Sequence, residues 1–161
     1  MLITPDFQRD MKRADEAEVE ALLHAAFDTP AEAKLVAALR KSKVIAGEQV
    51  LGWDGRIVGY YALSYLTKPK GWLCLAPVAI APDLQRRGYG KRMMGMLTEW
   101  SRLTQSPIVV VGNPAFYEKA GFSTASAATL TSPYPRSHTM VSGVTGAPVQ
   151  TIVYPSAFRD M

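Results

Sequence analysis

The stretch from Trp72 to Gly90 constrains the fold more than any other part of the chain. Trp72 to Ile80 is a near-continuous apolar run, the pattern of a central strand buried on both faces. Pro77 inside it cannot donate to a ladder, so a bulge or local break in pairing is expected there. Pro82-Asp83 ends the strand, and from Gly88 the apolar period turns helical, with Met93, Met96, Leu97, Trp100 and Leu103 on one stripe. A buried strand feeding through glycines into a helix calls for a sheet covered by helices.

The flanking segments fit that scheme. Asp15 and Glu18 have the spacing of a capping box, ahead of the helically spaced Val19, Leu22, Leu23 and Phe27. Thr29-Pro30-Ala31-Glu32 repeats the start signal for a second helix bearing Leu35, Val36 and Leu39. Val44 to Trp53 and Arg56 to Leu66 read as strands joined by Asp54-Gly55, a two-residue hairpin signal. Pro107 to Val111 is a short buried strand, Asn113-Pro114 opens a brief helix ending at Gly121, and Val149 to Tyr154 is a strand in a turn-rich tail. The order predicts an α/β sheet of mixed direction.

The chain has 161 residues, 48% of them hydrophobic, enough for one domain, residues 1–161, with a core of its own. No stretch approaches the roughly 20 apolar residues that span a bilayer. Met1 to Lys12 lacks the apolar block of a secretory signal, and a lone cysteine, Cys74, fits a reducing compartment. A cytoplasmic protein without membrane attachment is expected. Cys74 sits in the buried-type strand and reads as an inert core thiol. With two histidines, His24 and His138, and that one cysteine, no metal site is expected.

The net charge is a mild +4, yet Arg86, Arg87, Lys91 and Arg92 fall within seven residues. Free N–H groups and the partial positive charge of a helix start attract anions, and glycine lets the backbone approach a bulky one. Gly88 and Gly90 among these cations therefore suit a pyrophosphate. A P-loop is excluded, because Gly90-Lys91 is followed by Arg92 and Gln85 stands where the first glycine belongs. A dinucleotide fingerprint is excluded as well, because its third glycine or alanine would be Met93.

Gln85-Arg86-Arg87-Gly88-Tyr89-Gly90 resembles the main signature of the GNAT superfamily of N-acetyltransferases, and Phe116-Tyr117-Glu118-Lys119-Ala120-Gly121-Phe122 resembles its second. Element order agrees from about Met11 to Phe122, and the tail, with Val153-Tyr154-Pro155 and Ala157-Phe158, resembles a subgroup of small, mostly uncharacterised bacterial members. The resemblance implies an α/β fold of the α+β type. Its central sheet would be mixed, mostly antiparallel, flanked by helices and splayed between the fourth and fifth strands. It implies acetyl-CoA as cosubstrate, with Gln85, Arg86, Arg87, Gly88, Tyr89, Gly90 and Lys91 at the pyrophosphate. Val78, Ala79 and Ile80 would lie along the pantetheine, Val78 and Ile80 supplying the backbone groups that pair with its amides, and Asn113 would orient the cofactor. Asn113 is closer to Tyr117 than is usual in the family, and the alternative role of an asparagine before a proline is to cap a helix.

Within the second motif Tyr117 is the catalytic candidate, a phenol able to assist the departing thiolate; taken alone, a tyrosine there packs its helix. The fourth-strand glutamate that many relatives carry is missing, since Trp72 to Ile80 holds no acid. Glu48 and Asp54 lie on the preceding hairpin, Asp54 being explained by its turn, and no general base is assigned. The expected reaction is acetyl transfer from acetyl-CoA to a primary amine by direct attack. The alternative is an acyl-CoA-binding or sensing module without chemistry. Nucleic acid is not the expected partner; the acceptor's identity and a homodimer stay open.

Overall fold

The computed structural model describes residues 8–160; most of the segment bearing on a secretory signal, residues 1–7, lies outside it. Strand β1 (Gln8–Asp10) precedes α1 (Glu16–Ala26) and α2 (Ala31–Lys41), and three longer strands follow: β2 (Ile45–Trp53), β3 (Arg56–Tyr65) and β4 (Leu73–Ile80). Then come α3 (Tyr89–Thr104), β5 (Ile108–Val111), α4 (Pro114–Lys119), β6 (Leu130–Thr131), β7 (Thr139–Ser142) and β8 (Gln150–Thr151). The main sheet runs β1-β2-β3-β4-β5-β7. Every neighbouring pair is antiparallel except β4 and β5, so the expected mixed, mostly antiparallel sheet is what forms. Among the described residues no helix is long and apolar enough to cross a membrane.

Side chains of successive strand residues point to opposite faces, and β3 shows which helices cover which. Tyr60 donates its hydroxyl to Glu48, which also holds Arg40 of α2. The adjacent Gly59 lies so close to Met93 of α3 that a Cβ there would come within 2.9 Å of the sulfur. Helices α1 and α2 thus cover one face, α3 and α4 the other. The Asp54-Gly55 turn has φ of 51° and 77°, the left-handed pair that a type I′ hairpin requires.

Three sequence expectations need correction. The Asp15 carboxylate does not cap α1: it accepts the Lys12 N–H at 2.8 Å and holds Arg9 at 2.7 Å. That guanidinium pulls the carboxyl down to about 2. Glu18 takes the Ile57 N–H at 2.7 Å instead, tying α1 to the start of β3. On α3 the buried stripe is Met93, Met94, Leu97, Thr98 and Ser101, while Met96, Trp100 and Leu103 are exposed. Two hydroxyls set that rotation: Thr98 donates to the Ala120 carbonyl at 2.6 Å, and Ser101 donates to that of Ser106 at 2.6 Å. Their partners let the helix sit close to its neighbours on small polar side chains, which a count of apolar residues misses. In the tail, the strand expected over Val149 to Tyr154 is divided. Gln150 and Thr151 pair with β6, and Val153 bridges Lys68.

Candidate functional site

The site begins with one extra residue in β4. Against β3, Leu75 stands opposite Leu63 but Val78 opposite Tyr61, so three steps on β4 match two on β3. The bulge falls on Ala76-Pro77, as the proline predicts. Its consequence is a change of phase. The Ala81 N–H donates to Val58 at 2.8 Å, and backbone groups in an antiparallel pair alternate between the two sides. Ala79 therefore also faces β3, while Val78 and Ile80 turn their N–H and C=O groups toward β5.

No β5 strand is there to meet them. Pairing of β4 with β5 ends at Leu75 and Val110, and beyond that point the strands diverge. The Ile80 carbonyl is taken by the side-chain amide of Gln85 at 2.9 Å. This bond fastens the following loop to the strand end, and Val78 is left with its backbone groups facing the opening.

The loop is anchored by buried Leu84. Arg86 and Gly88 take φ of 65° and 86°, and Gly88 caps α3, its carbonyl accepting the Arg92 N–H at 3.0 Å. The N–H groups of Tyr89, Gly90 and Lys91 precede that bond and stay available. Arg86, Arg87, Lys91 and Arg92 are exposed and form no ion pair with a described residue. A cleft of about 490 Å³ joins strand end and helix mouth, lined by Val78, Ile80, Leu84, Gln85, Arg86, Gly88, Gly90 and Lys91, with Phe116 and Tyr117 opposite.

Tyr117 reaches the cleft because α4 starts abruptly. Asn113 caps it, accepting the Ala115 N–H at 3.0 Å, and Pro114 supplies the first turn. The Tyr117 ring meets Phe116 and Phe122 edge to face at 4.9 and 5.7 Å and lies over Gly112, where a Cβ would approach to 2.6 Å. Burial pushes its phenol up to about 12. The hydroxyl makes no hydrogen bond to a described residue.

Of the residues singled out in the sequence, the structure brings Val78, Ile80, Gln85, Arg86, Gly88, Gly90, Lys91 and Tyr117 to one cleft. The side chains of four others lie outside it. Ala79 is buried and turned to β3, Arg87 points to solvent, Tyr89 packs on the core, and Asn113 spends its side chain on the cap. Leu84 and Phe116 line the cleft without having been named as site residues. Phe116 carried a signal, being the first residue of the second motif. Glu48 is no free base: Arg40 holds it at 2.7 Å and Tyr60 at 2.5 Å.

Comparison with known proteins agrees with this geometry. Residues 41–124 match the model of the acetyltransferase (GNAT) domain. The uncharacterised N-acetyltransferase YhbS of Escherichia coli is 28% identical over 117 residues, 70% of each chain. The crystal structure of Escherichia coli YhbS in complex with CoA superposes with a TM-score of 0.85 at 24% identity, covering 98% of this chain and 93% of that one. A GNAT family acetyltransferase of Brucella melitensis, solved in complex with acetyl-CoA, gives 0.78 at 24% identity over 94% and 97%. With a splayed β4–β5 pair, a glycine-capped α3 and a domain match spanning over half its length, the chain belongs to the GNAT acetyltransferase family.

Proposed function

We propose that the protein moves an acetyl group from acetyl-CoA to a primary amine by direct attack. The observation that carries this is the meeting, in one cleft, of a free strand edge at Val78, the mouth of α3 and the Tyr117 phenol. The pyrophosphate of CoA suits the N–H groups of Tyr89, Gly90 and Lys91 with Arg86 beside them. The pantetheine amides suit the backbone of Val78, adding a short strand where β5 has turned away. The CoA and acetyl-CoA bound by the two structural relatives support this assignment. The single unpaired thiol, buried Cys74, fits a reducing compartment such as the cytoplasm.

In the proposed step the neutral amine nitrogen attacks the thioester carbon, forming the C–N bond as the C–S bond breaks. The Tyr117 O–H donates to the sulfur as it gains charge and gives it the proton. The proton shed by nitrogen leaves to water, from which the phenolate is restored. A phenol raised by burial remains in its acid form throughout neutral pH, as the role requires. Products are the amide and CoA thiol. Release of CoA from acetyl-CoA across a panel of amines is the test.

A second reading, an acyl-CoA-binding module without chemistry, is favoured by one observation: among the described residues no carboxylate lines the cleft. Tight CoA binding with no amine-dependent CoA release would select it. Both readings share the cradle, which Gly90→Val probes. A Cβ at Gly90 already comes within 3.3 Å of Phe116 and 3.5 Å of Ile80, so the valine methyls must enter the cleft. Overpacking of this kind costs about 1–3 kcal/mol, and CoA affinity measured by calorimetry is expected to fall roughly tenfold to a hundredfold.

A further inference from the structure

Opposite the cofactor cleft, at the same parting of β4 and β5, the tail builds a second site. Cys74, Val109 and Val141 stand side by side on β4, β5 and β7 and pack with Leu35 and Leu39 of α2, which fixes them on the α1/α2 face. One step past the last β4–β5 pair, Val111 pairs with Thr139, whose side chain shares that face with Val141. Thr139 lines a cleft of about 400 Å³ together with Ser132, Tyr134 and Arg136. Tyr134 also borders a neighbouring cleft of about 490 Å³ with Tyr154 and Arg159. The two tyrosine rings meet edge to face at 4.9 Å.

The charges are of one sign. Among the described residues no Asp or Glu lines either cleft, and their only charged groups are Arg136 and Arg159, neither of them in an ion pair with a described residue. The Tyr154 hydroxyl is enclosed beside Ser132, where the two clefts adjoin. A polyamine would leave a second ammonium here beside guanidinium groups. An anion would meet a planar donor fork with the Ser132 and Tyr134 side chains beside it.

Resting on the acyl-transfer reading above, we propose that the acceptor is a small amine that bears a carboxylate, with Arg136 holding the carboxylate beside Ser132 and Tyr134. The amine then lies toward the strand parting, on the far side of the sheet from the cofactor cleft. Selectivity against polycationic amines follows from the missing acids, and preference over neutral amines from the Arg136 guanidinium.

The test is binding to CoA-loaded protein, measured by calorimetry with N-acetylglycine, N-acetylalanine and N-acetylphenylalanine against their neutral primary amides. At least one acid is expected to bind about tenfold or more tightly than its amide, the value of a charge-assisted hydrogen bond. Arg136→Ala should abolish that preference and Arg136→Lys retain part of it, with the dissociation constant of CoA unchanged in both. Acids that bind no better than amides, no binding of any acid, or equal weakening of acid and amide in Arg136→Ala would each overturn the inference. Discrimination without CoA release from acetyl-CoA for any amine leaves this site standing and removes the acyl-transfer reading. Turnover confined to neutral or polycationic amines does the reverse.

Discussion

Replacing Tyr117 by phenylalanine should lower kcat by about 10²–10⁴-fold, the range for loss of a positioned general acid, while the dissociation constant of CoA stays within about twofold. The separation between chemistry and binding follows from the site. The ring is held by Phe116, Phe122 and the backbone of Gly112, all of which a phenylalanine keeps. The hydroxyl has no partner among the described residues to lose, so the melting temperature should also hold. A pH profile adds a second check. With the phenol raised to about 12 by burial, the acid form persists below that value, and wild-type kcat should show no decline from this group up to about pH 11. Unchanged kcat in the variant would remove Tyr117 from the mechanism; an alkaline limb near pH 10 would show that its environment does not raise it.

The largest loss of stability is expected at Gly143, just after β7. Its φ is +77°, and a Cβ there would come within 2.4 Å of Ser101 Oγ and 2.5 Å of the Ser106 carbonyl oxygen. Ser101 could swing aside only by giving up its bonds to Ser106 at 2.6 Å and Ser142 at 2.8 Å, and the Ser106 backbone carries the turn from α3 into β5. Gly143→Ala thus combines left-handed strain with overpacking, about 3 kcal/mol or more together. At about 2–4 °C per kcal/mol for a chain of this size, thermal unfolding should move down by roughly 6–12 °C. Gly146→Ala is the control. It has a similar φ of +67° with nothing within 4 Å, so it should show the backbone strain alone, about 1 kcal/mol. Equal shifts in the two variants would mean that the contact at Gly143 relaxes freely.

The cofactor side of the molecule was legible because its signals are local. A glycine at a helix start, a proline inside an apolar run and a two-residue hairpin each act over a few residues, and each was realised: the α3 cap, the β4 bulge and the Asp54-Gly55 turn. What escaped depended on distant partners. The rotation of α3 was set by Ala120, Ser106 and Ser142, none of them visible from the helix's own periodicity. Strand β7, four residues with the mixed pattern Thr-Met-Val-Ser, is buried along its length and gives neither alternation nor a long apolar run. The parity of Val78, Ala79 and Ile80 came from the family resemblance, which gave the free backbone groups to Val78 and Ile80, and not from their own uniformly apolar pattern. Only the position of the bulge relative to β3 decides which of the three turns its backbone to the cleft.

Cys74 gives the diverging strands a built-in reporter. It is the only thiol in the sequence, it pairs with Val109 one residue short of where β4 and β5 separate, and it is 1% exposed with its thiol pushed up to about 12. A thiol reagent must wait for that part of the sheet to open, after which the sulfur ionises as an ordinary cysteine does. Labelling under native conditions then reads the free energy of local opening at the seam on which the cofactor cleft and the proposed acceptor site converge. A ligand bridging the seam registers as protection of one atom, whether or not it is ever turned over.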